Sequence, residues 1–193
     1  MSNELSREEK RDGLIYGALV GIITIVLSII SIYLTRSITS YSSLFITSTI
    51  LKVTGSIFIP VLFVYLLRKK NGHYWTFSRA LKSIYILLAS SIIISSLGIT
   101  IWQKNMDKIV LEESYHNLMN LKIVDMESKG ASEKEIDQQI EVIEQDKEFA
   151  LSDFSIRNAI APMFISLLLN FVFAMLLALL FRTQTNDPMR TKP

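Results

Sequence analysis

The chain has 193 residues, half of them hydrophobic, with 20 basic and 18 acidic side chains, two histidines and no cysteine. Such totals suit a soluble domain, but their distribution does not. Four runs, Gly13–Leu34, Leu44–Leu67, Ala80–Trp102 and Ala159–Phe181, fill nearly half the chain and contain only two charges, Lys52 and Lys82. Each exceeds the ~20 apolar residues that cross a hydrocarbon core. An ordinary soluble protein is excluded, and the absence of cysteine excludes a disulfide scaffold.

Residues 1–12 are polar and mixed in charge. The run that follows is longer than the ~7–15 apolar residues of a signal-peptide core and lacks a small-x-small cleavage site, so it is expected to stay as an anchor. Gly13, Gly17 and Gly21 open it as a doubled G-x-x-x-G. With no side chains, that face admits another helix at close range and gains van der Waals contact that lipid cannot match. The contact is expected either within the monomer or between two copies of the chain. The nine-residue connection Thr35–Ser43 makes the first two spans antiparallel neighbours. All four spans must be helices, because backbone polar groups in lipid have to be satisfied within the element.

Lys52 lies inside the second span, eight residues from Leu44. An intramembrane lysine costs roughly 2.5–3.5 kcal/mol on insertion scales and is a functional hypothesis by default. Two readings stand open: the stem snorkels past Thr47, Ser48 and Thr49 to the interface, or the charge serves a polar site between helices. Ser48 and Ser56, each one turn away, admit a serine–lysine pair, but serines are too abundant here for that spacing to carry weight. Pro60 and Pro162 are expected to bend or start their helices. Ser90, Ser91, Ser95, Ser96 and Asn170 are expected to hydrogen-bond across helices.

The loop before the third span holds an interfacial basic cluster, Arg68, Lys69, Lys70, Arg79 and Lys82, with His73, Tyr74, Trp75 and Phe77 and no acid. Such a cluster sets topology and attracts anionic lipid headgroups. It is too short and too close to lipid for nucleic acid.

Segment 103–158 is acidic, with 13 of the 18 acids and seven basic residues. Ser132 and Glu135 form a capping box, and Gly130 stands where a preceding helix needs a left-handed terminator. The expected structure is a helical hairpin, roughly Asp107–Lys129 and Glu133–Ala150. Ile136, Ile140 and Ile143 form its second apolar stripe, extended by Phe154; Met106, Val110, Leu118, Leu121 and Val124 form the first. The two arms pack on each other, or part of that surface meets a partner. A polar tail, 182–193, follows the fourth span.

Eleven lysines and arginines flank the spans on the side of the termini, against five on the other. The positive-inside rule then places both termini in the cytoplasm and the hairpin outside it. Tyr33, Tyr41 and Trp102 near one interface, and Tyr16, Tyr65, Tyr74 and Trp75 near the other, agree with this.

Two stretches carry a family resemblance. One is Arg68-Lys69-Lys70-Asn71-Gly72 followed by Thr76-Phe77-Ser78-Arg79-Ala80-Leu81-Lys82; the other is Met126-Glu127-Ser128-Lys129-Gly130-Ala131-Ser132-Glu133-Lys134-Glu135-Ile136. In their order and spacing the chain resembles the membrane proteins grouped as domain of unknown function 4199. Ala131 replaces an expected methionine and Arg79 a frequent glutamine. The resemblance implies four spans over 13–102 and 159–181, a bacterial cytoplasmic membrane and no assigned activity.

The expected fold is therefore all-α, a four-span transmembrane bundle with an extracytoplasmic acidic hairpin between spans three and four. His73 and His116 fall on opposite sides of the membrane, and no phosphate loop or buried acidic pair is present, so no catalysis, cofactor or metal is expected. The expected role is that of a structural or interaction protein working through the hairpin or through self-association. A small transporter or channel subunit using Lys52 is the alternative.

Overall fold

The computed structural model describes residues 4–72, 75–105, 108–152 and 156–183. His73, Tyr74, Met106, Asp107, Phe154 and the tail beyond Thr183, all named above, lie outside the described residues. Among the described residues seven α-helices run in the order α1 (Arg7–Ser37), α2 (Tyr41–Val53), α3 (Ile59–Asn71), α4 (Phe77–Asn105), α5 (Lys108–Ser128), α6 (Glu133–Leu151) and α7 (Ile156–Phe181). Among the described residues there is no strand. Four stretches of the described residues are long and apolar enough to cross a membrane: Arg7–Ser37, Tyr41–Asn71, Phe77–Gln103 and Met163–Phe181.

The first helix starts earlier than its apolar run. Ser6 accepts from the Glu9 amide, and the Glu9 carboxylate accepts from the Ser6 amide, a reciprocal cap that begins the helix at Arg7. Much of the polar segment 1–12 is thus helical.

Between α2 and α3 the second span stays helical through one π-turn, Thr54–Phe58, closed by the Ile59 amide on the Thr54 carbonyl. Pro60 occupies the second position of α3. A proline ring collides with the carbonyl four residues back, Ser56, and has no amide to give it. The widened turn lets the chain pass that point without breaking.

The parallel pair α1 and α4 forms the centre. The α2–α3 span packs on α1 and α7 packs on α4. At the terminal end, where α1 begins and α7 ends, the four spans meet in one cluster: Val20, Val64, Leu67, Trp75, Ala80, Ile84, Leu87, Leu88, Ala174, Leu177 and Ala178. Many other large apolar side chains, such as Phe58, Leu168 and Leu180, face outward, as a lipid solvent allows.

Candidate functional site

Glycine builds the central seam. A methyl group at Gly13 would lie 3.1 Å from Ile86 Cγ2, and one at Gly21 would lie 3.0 Å from the Ser91 carbonyl oxygen and from Ile94 Cβ. At Gly17 it would collide with Ser90 Oγ and the Leu87 carbonyl, and at Gly98, which sequence reasoning missed, with Ile25. The glycine face of α1 is therefore occupied by α4 of the same chain.

The serines of the seam depart from expectation. Ser90 donates to the Ile86 and Leu87 carbonyls, Ser91 to Leu88 and Ser95 to Ile92, all within α4. Asn170 likewise donates to Ser166 one turn back in α7. Satisfying a hydroxyl on its own helix keeps the side chain small toward the neighbour, so these serines contribute close approach rather than interhelical hydrogen bonds.

At the terminal end the basic cluster divides. Glu9 continues the glycine face of α1 one turn before Gly13, Asp12 sits on the side of α1 that carries Tyr16, and both side chains are 5% exposed. Glu9 Oε1 accepts from Arg79 Nε at 2.7 Å, and Asp12 Oδ1 from Lys70 Nζ at 2.8 Å. Lys70 also lies 5.8 Å from the centre of the Tyr16 ring. Two members of the cluster are thereby neutralised internally; Lys82 is exposed and has a partner of its own.

Arg68 and Lys69 make no ion pair among the described residues. With Tyr65, Gly72 and Thr183 they line a cavity of about 390 Å³. Trp75, just before α4, is tied to the residue beyond the end of α7: its amide donates to Thr183 Oγ1 at 2.9 Å and the Thr183 amide to its carbonyl at 2.8 Å.

Lys52 faces outward from α2 beside the π-turn, where Ser56 Oγ donates to its carbonyl. It does not enter the space between the helices of the bundle. Ser48 and Ser56 form no hydrogen bond with its amine.

At the opposite end, α5 docks on the corner between α1 and α2. Asn117 Nδ2 donates to the Thr35 carbonyl at 2.7 Å and the Ile38 carbonyl at 2.9 Å, and Ser114 Oγ to the Ile32 carbonyl at 3.2 Å. These supply donors to carbonyls that the C-terminus of α1 leaves without helical partners or with a spare lone pair. Arg36 pairs with Glu113 at 2.6 Å, and Lys122 donates to the Tyr41 hydroxyl at 3.1 Å. Leu44, Leu111 and Ser114 are buried beneath this contact.

Gly130, at φ +73°, lets the chain leave α5, and Ser132 and Glu135 cap α6 reciprocally. Tyr115 of α5 meets α6, where burial and then the charge of Asp146 push its hydroxyl above its ordinary pKa. Ile136, Ile140 and Ile143 are half-buried, whereas Val142 and Phe149 are exposed. The seven acids of α6, Glu133, Glu135, Asp137, Glu141, Glu144, Asp146 and Glu148, are all exposed, and none is in an ion pair among the described residues.

Four apolar spans around a glycine-packed pair, with a helical extension between the third and fourth, define a multi-pass all-α membrane protein. The chain belongs to the family described as protein of unknown function (DUF4199), whose model matches residues 12–183. No curated protein matches it, and no solved structure does.

Proposed function

We propose that this is a non-catalytic interaction protein of the bacterial cytoplasmic membrane. Both termini lie in the cytoplasm, and α5 and α6 present an acidic surface to a protein partner on the other side. The carrying observation is the unequal treatment of the two arms. α5 is fixed to the bundle through backbone carbonyls of α1, while α6 has no fully buried residue and exposes all its acids, none in an ion pair among the described residues. An anchored arm holds a solvated one at fixed orientation, which reduces the ordering cost of binding. Charge on the outer arm favours a partner with a basic face.

Site-specific photo-crosslinking in native membranes tests this. A probe at Val142 should capture one stoichiometric partner, a probe at lipid-facing Leu168 should not, and Glu141→Lys with Glu144→Lys should abolish the adduct. Adducts of equal yield from both positions, or one indifferent to charge reversal, would overturn the proposal. Transport through Lys52 gains no support from its outward position, which would require several copies around a shared pore.

A further inference from the structure

The basic cluster does more than set charge, because the fold separates its members. Lys70 and Arg79 are spent on Asp12 and Glu9, whereas Arg68 and Lys69 line a cavity that has no acid in its wall. We infer that this cavity between the ends of α3 and α7 binds the phosphate of an anionic phospholipid headgroup.

Tyr65, Arg68 and Lys69 lie at helical spacing on one face of the last turns of α3, Gly72 follows where the chain leaves that helix, and Thr183 closes the other side. The C-terminus of α3 carries partial negative charge, so the two cations, rather than the helix dipole, must attract the anion. A methyl group at Gly72 would meet no atom within 4 Å, so the backbone there borders open space. Two cations lining one cavity with no acid in its wall favour an acceptor-rich anion such as a phosphate ester.

The depth of the site selects the source. The cavity begins where the apolar run of the second span ends, and the half-exposed ring of Tyr65 sits one turn deeper than the cations. Amphipathic rings and basic side chains meet lipid headgroups at that level, so we commit to a lipid-borne phosphate over a free one.

The test uses the full chain in mixed micelles of non-ionic detergent with phosphatidylglycerol or phosphatidylcholine, reading retained lipid by native mass spectrometry. Wild type should retain one phosphatidylglycerol in preference to phosphatidylcholine. Lys69→Gln should lower retention about fivefold, and Arg68→Gln with Lys69→Gln about 25-fold, following the usual contribution of a basic residue near an anionic surface. Lys134→Gln, the same charge change on α6, should leave retention unchanged. If the double variant fails to fold, Lys69→Gln decides alone, because that side chain is exposed. Equal retention of the two lipids, or undiminished retention by the variants, overturns the inference. Displacement of phosphatidylglycerol by excess inorganic phosphate in wild type, but not by equimolar chloride, overturns lipid as the source.

Discussion

The two ends of the bundle are held by different physics. At the terminal end, side chains of all four spans close over one another, α1 touches α4 through glycine, and two carboxylates are matched by Arg79 and Lys70. At the hairpin end, no residue of α1 beyond Gly21 is buried, and the helices are joined by donors from α5 to carbonyls at the end of α1. The first arrangement suits lipid, where apolar burial alone drives no association and close approach must supply the contact. The second suits the water boundary, where a frayed helix end needs partners. The terminal end is therefore the rigid part, and the hairpin end a docked one.

Breaking the seam should have the largest effect. Gly17→Ala forces a methyl group into Ser90 Oγ and the Leu87 carbonyl. A backbone atom cannot rotate away, so α1 and α4 must separate. The expected loss is about 3 kcal/mol, read as a large drop in thermal midpoint in detergent. Gly13→Ala, facing the more yielding Ile86 side chain, should cost much less. Equal effects at the two sites would mean that close approach does not hold the terminal end together.

Arg79→Ala comes next. It leaves the Glu9 carboxylate almost fully buried beside the membrane without its cation. Removing one partner of a buried pair typically costs about 3 kcal/mol or more, and the partial exposure of Arg79 puts this case near 2 kcal/mol. Glu9→Gln with Arg79→Ala should recover part of the loss, since the uncompensated charge is gone. A double variant worse than the sum of the singles would show that the pair works through packing rather than charge.

The spans were legible in the sequence because lipid leaves the backbone little choice, so hydropathy alone identifies them. The Gly130–Ser132–Glu135 corner was legible because its chemistry is local. What the sequence hid was pairing at a distance. Glu9 lies one turn before Gly13 on the glycine face, so its inward direction could have been read from spacing, whereas that of Asp12, on another side of the helix, could not. Nor could their partners, 70 and 58 positions away. The expectation of interhelical serine bonds failed because a hydroxyl in an apolar helix has a carbonyl of its own within reach. Asn117 carries no local signal, and its role exists only once α5 lies across the end of α1. The lipid-site candidate depends similarly on Thr183 reaching the loop after α3.

Asn117→Ala probes the docked end. It removes the donor to the Thr35 and Ile38 carbonyls, groups near enough to the surface for water to replace it in part. A loss of about 1 kcal/mol is expected. Amide hydrogen exchange should accelerate in α5 and the last turn of α1, while the α1–α4 seam keeps its protection. Acceleration through the whole bundle would erase the distinction between a rigid end and a docked one.

The smallest effect belongs to the corner, and pH reveals it. Glu135 is held below its ordinary pKa of 4.5, first by the Ser132 amide and then by the Ser132 hydroxyl. A carboxylate depressed in the folded state stabilises fully above its unfolded pKa, and that contribution disappears as pH falls through the folded value. Acidification below about pH 4.5 should therefore fray the first turn of α6, monitored by amide exchange at 133–136, before the terminal end responds. Ser132→Ala should bring the Glu135 titration back toward its ordinary value and make the same turn fray at neutral pH. An unchanged titration would mean that the reciprocal cap does not hold in solution, and α6 would then owe its orientation to its half-buried isoleucines on α5.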